Sequence, residues 1–150
     1  GQLVLMVERG ENADNLGMLL RSCDAAGVTG VILAEGTTDP FARRVVRGSR
    51  GSVFSLPICI IDSALRAIEF AAENSVQVIA SSAAADLPHT SPDYRQPTMF
   101  VVGNEHVGIS EAVRDRATAV VRIPMLGKVN SLNIAVAASI LLYEAVRQRG

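Results

Sequence analysis

Three short polar clusters hold the residues of this chain whose types and spacing could do chemistry. The first is Asn15-x-Gly17-x-x-x-Arg21, an amide and a guanidinium six residues apart. A guanidinium can anchor a phosphate or stabilise an oxyanion, but it is an awkward base because it stays protonated at neutral pH. Standing alone, the cluster reads equally well as a solvated helix start with a surface arginine. The second is Gly103-Asn104-Glu105-His106-Val107-Gly108, where a glycine, an amide and a carboxylate follow an apolar run. Such a loop can hold a polar ligand against exposed backbone N–H groups, or it can be an ordinary connection with a capping carboxylate. The third runs from Ile123 through Pro124, Met125, Gly127 and Ser131 to Asn133. Ser131 and Asn133 stand at a helix start, where N-capping is their plain role, yet capping does not account for the whole segment from Pro124 onward. His106 is a conceivable base. Its one companion is His89 and no spacing suits a metal, so no metal is expected and His106 reads as a solvent-facing loop residue.

The elements that must carry these clusters alternate between strand and helix. Leu3 to Val7 and Gly30 to Ala34 are short uninterrupted apolar runs, the form of strands covered on both faces. Further strands are expected over residues 58–61, 76–80, 98–102 and 120–123. A first helix, capped by Asn12 or Asp14 and marked by Leu16, Leu19, Leu20 and Cys23, should stop at Gly27. A second should open at Asp39-Pro40, run to Arg47 and be broken by Gly48 and Gly51. A third follows Asp62 or Ser63 as far as Glu73, and a short one spans residues 110–116. The last, from Ile134 to Arg147, is apolar on nearly every face and so needs cover on more than one side. Residues 81–97 are expected to be irregular and to run over the surface. The alternation implies an α/β class with a parallel sheet covered on both faces, and it sets all three clusters at strand ends, where such sheets place ligands.

A length of 150 residues suits one domain, and 49% hydrophobic with 19% charged residues suits a packed globule. No apolar stretch reaches a membrane span and no export leader is visible, so a cytoplasmic protein is expected, with Cys23 and Cys59 as buried thiols. The net charge of -1 does not point to nucleic acid, but its distribution does. Arg43, Arg44, Arg47 and Arg50 fall within eight residues with no carboxylate between them. That run is either a solvated helix face or a set of phosphate contacts. The absence of Trp and an aromatic content of 4% argue against a base-stacking platform.

Taken in order, the three clusters resemble the three motifs of the SpoU (TrmH) family of RNA ribose 2'-O-methyltransferases, in the SPOUT superfamily. The matching residues are Asn15, Gly17 and Arg21 with Asp24 and Gly27; then Gly103-Asn104-Glu105-x-x-Gly108; then Ile123-Pro124-Met125-x-Gly127-x-x-x-Ser131-Leu132-Asn133 with Leu141 to Ala145. The resemblance spans almost the whole chain, and its third motif is the most specific. It implies a parallel α/β fold with a C-terminal deep trefoil knot, a homodimer, and S-adenosylmethionine held mainly by backbone groups near Gly103, Ile123, Met125 and Leu132. It also implies that Arg21 is the catalytic arginine, read here as a phosphate anchor and alkoxide stabiliser, while Asn15, Glu105, Ser131 and Asn133 arrange Arg21 and the ribose. Arg43, Arg44, Arg47 and Arg50 would contact RNA phosphates. His106 departs from the pattern, since relatives commonly have glycine there; a positive φ at that position would strain it. Many relatives carry a separate N-terminal RNA-binding domain, so this chain reads as the catalytic portion of a longer protein or as a processed form.

The expected substrate is an RNA ribose 2'-hydroxyl, with 23S-type rRNA favoured and tRNA the alternative. A non-catalytic RNA-binding module is disfavoured by the joint presence of Arg21, Glu105, Ser131 and Asn133. A nicotinamide-binding domain is disfavoured because residues 8–13, Glu-Arg-Gly-Glu-Asn-Ala, lack the G-x-G-x-x-G spacing.

Overall fold

Apolar runs too short for helices and unbroken by polar residues become strands that need cover on both faces. A computed structural model describes residues 1–150 and contains seven strands, not all of them so covered: β1 (Leu3–Glu8), β2 (Gly30–Ala34), β3 (Ile58–Ile61), β4 (Gln77–Ser81), β5 (Leu87–Pro88), β6 (Thr98–Val102) and β7 (Ala119–Arg122). They form one sheet in the order β3-β2-β1-β6-β4-β7-β5, and every pairing is parallel. The helices are α1 (Ala13–Ala26), α2 (Arg43–Ser49), α3 (Ala64–Glu73), α4 (Glu111–Arg116) and α5 (Ile134–Arg149). No helix is long and apolar enough to cross a membrane.

The strand period of two splits the interior into two cores. Leu3, Leu5 and Val7 join Phe100, Val102, Leu16, Leu19, Leu20, Ala138, Leu141 and Leu142 in a core of 25 buried residues beneath α1, α2 and α5. Met6 faces the other way with Met99, Val101, Ile68, Ala71 and Val113, in a core of 13 beneath α3 and α4. Each large aliphatic side chain so buried contributes about 1.5–3 kcal/mol. Helix α1 approaches α2 closely enough that a Cβ on Gly17 would lie 3.0 Å from the Gly48 Cα and the Val45 carbonyl oxygen.

Several expectations change. Gly48 lies inside α2, where it lets α1 in, and the helix ends instead at Arg50, a left-handed residue with φ 52°. Asp39-Pro40 forms a turn ahead of α2: the Asp39 carboxylate accepts from Phe41 N at 2.9 Å, and the helix proper starts at Arg43. Cys23 is buried but Cys59 is exposed, because β3 is an edge strand. Residues 81–97 contain β5 and the fully buried Tyr94, which packs edge-on against Phe100 at 5.0 Å. Helix α5 buries one face and leaves Val136, Tyr143 and Val146 exposed by 42%, 47% and 36%. At its end the Arg149 guanidinium donates to the carbonyls of Tyr94, Gly1, Gln2 and Gln96 at 2.7–3.1 Å, joining the two chain ends.

Candidate active site

Strand β1 is paired with β2 on one side and β6 on the other, so chain direction across the sheet reverses there, and ligands bind outside the carboxyl ends of strands at such a switch. A cleft of about 510 Å³ opens at that end. It is lined by Ser81 to Ala84 after β4, Val102 to Ile109 after β6, Ile123 and Met125 after β7, Ser131 to Ile134 and Ala137 at the start of α5, Asn15 of α1, and Arg114 of α4. The volume falls within the roughly 300–1,000 Å³ of small-molecule sites.

The loop after β6 is fixed by its own side chains. Asn104 is buried; its Oδ1 accepts from His106 N and Val107 N at 2.8 and 3.1 Å, and its Nδ2 donates to the Arg9 carbonyl at 2.7 Å. Gly108, at φ 72°, closes the loop by pairing with the Asn104 backbone. Gly103 has no room for a side chain, since a Cβ would sit 2.2 Å from Gly108 C and Ile109 N. The Glu105 carboxylate spans the gap to α1, accepting from Glu11 N and Asn12 N at 3.2 Å each. Buried Glu8 accepts from Ser110 N at 2.8 Å, so a second carboxylate ties β1 to α4.

Asn133 joins the first and third clusters. Its Oδ1 caps α5 by accepting from Ala135 N at 2.8 Å, and its Nδ2 donates to Asn15 Oδ1 at 2.8 Å. Asn12 caps α1 through Asn15 N at 2.9 Å. From residue 124 to residue 132 no backbone group bonds within the chain. These free N–H and C=O groups border the cleft, so the residues present fit a ligand read by main-chain donors and acceptors.

Eight of the thirteen residues singled out in the sequence line the cleft, Asn15, Gly103, Glu105, Ile123, Met125, Ser131, Leu132 and Asn133, while Arg21 and the arginine run do not. Arg21 is exposed on α1 and forms no ion pair. Six residues of helix turn it about 240° from Asn15. Arg43, Arg44, Arg47 and Arg50 are exposed on and beside α2, outside the cleft, and Arg44 is held by Asp14 of α1 at 2.7 Å. His106 is exposed and has no positive φ, yet it lines the cleft. Sequence reasoning missed the roles of Asn104 and Glu8 and the lining residues Ser81 to Ala84 and Arg114. The position of Ser81 to Ala84 directly after a strand was the available signal. No group of three or more His, Cys, Asp or Glu side chains is placed to hold a metal.

A parallel sheet with its cleft at the carboxyl ends of β4, β6 and β7, closed by a strand-loop-helix segment, defines an α/β ligand-binding domain. The chain belongs to the SpoU rRNA Methylase family, whose profile matches residues 2–143. It is 37% identical to a 23S rRNA (uridine(2479)-2'-O)-methyltransferase of Streptomyces viridochromogenes, over 98% of this chain and 53% of that protein. It is 33% identical to a putative TrmH family tRNA/rRNA methyltransferase of Staphylococcus saprophyticus, over 97% of this chain and 59% of that protein. Among solved structures it superimposes on an AdoMet-bound rRNA methyltransferase from Sinorhizobium meliloti with a TM-score of 0.93 at 37% identity, covering 98% of this chain and 56% of that one. The SpoU methyltransferase of S. viridochromogenes in complex with AdoMet gives 0.93 at 35% identity, covering 99% and 58%. The chain thus spans between half and three-fifths of the length of these relatives.

Proposed function

We propose that this chain is the catalytic domain of an S-adenosylmethionine-dependent methyltransferase acting on a ribose 2'-hydroxyl of RNA, with 23S-type rRNA as substrate. The observation that carries the reading is the convergence of the second and third polar clusters, with Asn15 of the first, on one cleft whose third wall offers unpaired backbone groups. Its relatives include a 23S rRNA 2'-O-methyltransferase and AdoMet-bound rRNA methyltransferases, which supports both donor and substrate.

When bound, S-adenosylmethionine supplies a methyl group activated by its positive sulfur. Backbone groups near Gly103, Ile123, Met125 and Leu132 hold the donor, and the apolar side chains there exclude water. Asn15, Ser131 and Asn133 orient the ribose, with the Asn15–Asn133 hydrogen bond keeping two of them in register. Glu105 acts by positioning, because its carboxylate is engaged by two backbone N–H groups. Three ionisable side chains line the cleft, Glu105, His106 and Arg114. Of these, imidazole is the type most used as a general base, so His106 is assigned the hydroxyl proton. Arg21, outside the cleft of its own chain, is assigned to anchoring a phosphate and stabilising the developing alkoxide. Arg43, Arg47 and Arg50 are assigned to RNA phosphates.

The same reading makes the molecule a cytoplasmic homodimer with its C-terminal segment threaded into a trefoil knot. The exposed apolar stripe of Val136, Tyr143 and Val146 on α5, beside exposed Met18 on the neighbouring α1, supports the dimer. The path from β7, next to β4, across to α5, which packs on α1 and β6, supports the threading.

Calorimetry should detect S-adenosylmethionine binding, and labelled methyl should appear on a ribose of ribosomal RNA; absence of binding for both the donor and its demethylated product removes the reading. Label confined to tRNA would replace the substrate assignment with tRNA, which the name of the TrmH-family relative includes beside rRNA.

A further inference from the structure

The segment from Pro40 to Ile61 contains four arginines and no carboxylate, and it sorts its apolar residues in an unusual way. Three of its aliphatic side chains are inside, Val45 at 0% exposed, Val53 at 2% and Leu56 at 9%, while Ile60 on the edge strand β3 is 62% exposed. Its two phenylalanines are outside, Phe41 at 57% and Phe54 at 71%. Burial of an aromatic ring is a large favourable contribution, yet the core that takes Val45 and Val53 includes neither ring. The rings are not scattered. Phe41 precedes α2, Phe54 ends the short 3-10 turn of Ser52–Phe54 behind it, and their centroids lie 6.4 Å apart with the planes tilted by 35°. Between them in the chain stand Arg43, Arg44, Arg47 and Arg50, all exposed, and of these Arg44 alone forms an ion pair.

An exposed ring pair set in a field of positive charge matches one occupant. Aromatic faces accept nucleobases of any sequence, and neighbouring arginines hold the phosphates that link them. A second copy of this chain would bring four like charges against four, which disfavours self-association at this face. A base paired within a duplex has its faces covered, so the occupant must be single-stranded.

We propose that Phe41 and Phe54 form a stacking site for unpaired bases of RNA, with Arg43, Arg47 and Arg50 engaging the flanking phosphates. This rests on the reading that the chain acts on RNA, and it overturns the compositional argument against stacking: two rings suffice when both are left on the surface of a basic segment. The site lies away from the cleft, so it selects for unpaired RNA near the target and does not touch the reacting atoms.

The test uses the whole chain and fluorescence anisotropy with a short mixed-sequence single-stranded RNA, the same RNA with abasic nucleotides at its centre, and a duplex of equal length. The Phe41→Leu, Phe54→Leu double variant keeps apolar bulk and removes the ring faces. Single-strand affinity should fall about tenfold or more, while duplex affinity, melting temperature and S-adenosylmethionine binding stay unchanged. The abasic RNA should bind the parent chain more weakly than the intact strand but show no such difference with the double variant. Equal affinity of parent and variant for the single strand overturns the stacking site, and so does an equal loss on single strand and duplex. A parent chain that binds none of the three RNAs removes the RNA reading and the stacking site together.

Discussion

At the scale of residues, the cleft separates holding from reacting. Asn104, Glu105 and Glu8 commit their polar atoms to backbone groups, and Asn133 divides its amide between a helix cap and Asn15. Arg21 and His106 have no such commitments in side-chain hydrogen bonds or ion pairs, which leaves them for the RNA. Arg21→Ala should keep donor binding and lower transfer by at least about a hundredfold, the usual cost of removing one oxyanion stabiliser. His106→Gln should lower transfer by a similar factor with donor affinity intact, as the loss of a general base does. Single-turnover rates alongside calorimetry separate the two effects. Unchanged turnover in the first variant takes Arg21 out of the mechanism, and in the second it gives the proton to water.

At the scale of elements, α5 is anchored at both ends by polar side chains. At its end the Arg147 guanidinium donates to both oxygens of Glu144 at 2.8 Å, and Gln148 adds a third bond while reaching to Pro92. The Arg147 hydrogen bonds lead in bringing the Glu144 carboxyl down from its ordinary 4.5 to about 2. A carboxyl with a depressed folded pKa adds stability above its unfolded value and loses it as the pH falls. The contribution is therefore complete above about pH 4.5 and gone near pH 2. Glu144→Gln should cost about 1–3 kcal/mol at neutral pH and flatten the decline across that window, read by urea unfolding at a series of pH values. Parallel curves for the two proteins would deny the carboxylate this role. Elements were the most legible part of the sequence: β1, β2 and β6 stand out because burial on both faces leaves unbroken apolar runs. What stayed hidden was set by distant partners. Gly48 looks like a helix breaker until Gly17 is seen against it, and β5 exists because β7 lies beside it. Asn15 and Arg21, six residues apart in the sequence, are set on different sides of α1 because the helix already starts at Ala13.

At the scale of the whole molecule, one face of α5 has found its core and another has not. The chain should sediment as a dimer at micromolar concentration, and Val136→Glu with Tyr143→Glu should release monomers, because each carboxylate would be desolvated in the contact. A monomeric parent chain at that concentration contradicts the homodimer. The second and third motifs and Asn15 come together at one cleft because they follow the carboxyl ends of strands, whereas residues 81–84 carry no chemistry of their own and enter the cleft by position alone. The Arg149 clasp has a consequence of another kind. Since it brings the carbonyls of Gly1 and Gln2 to the last turn of the chain, a short peptide bridge would seal the polypeptide into a ring without disturbing a strand. A ring can neither gain nor lose a crossing without being cut, so the path of the backbone becomes a permanent property of the sealed molecule, readable from its size in denaturant after every contact has melted.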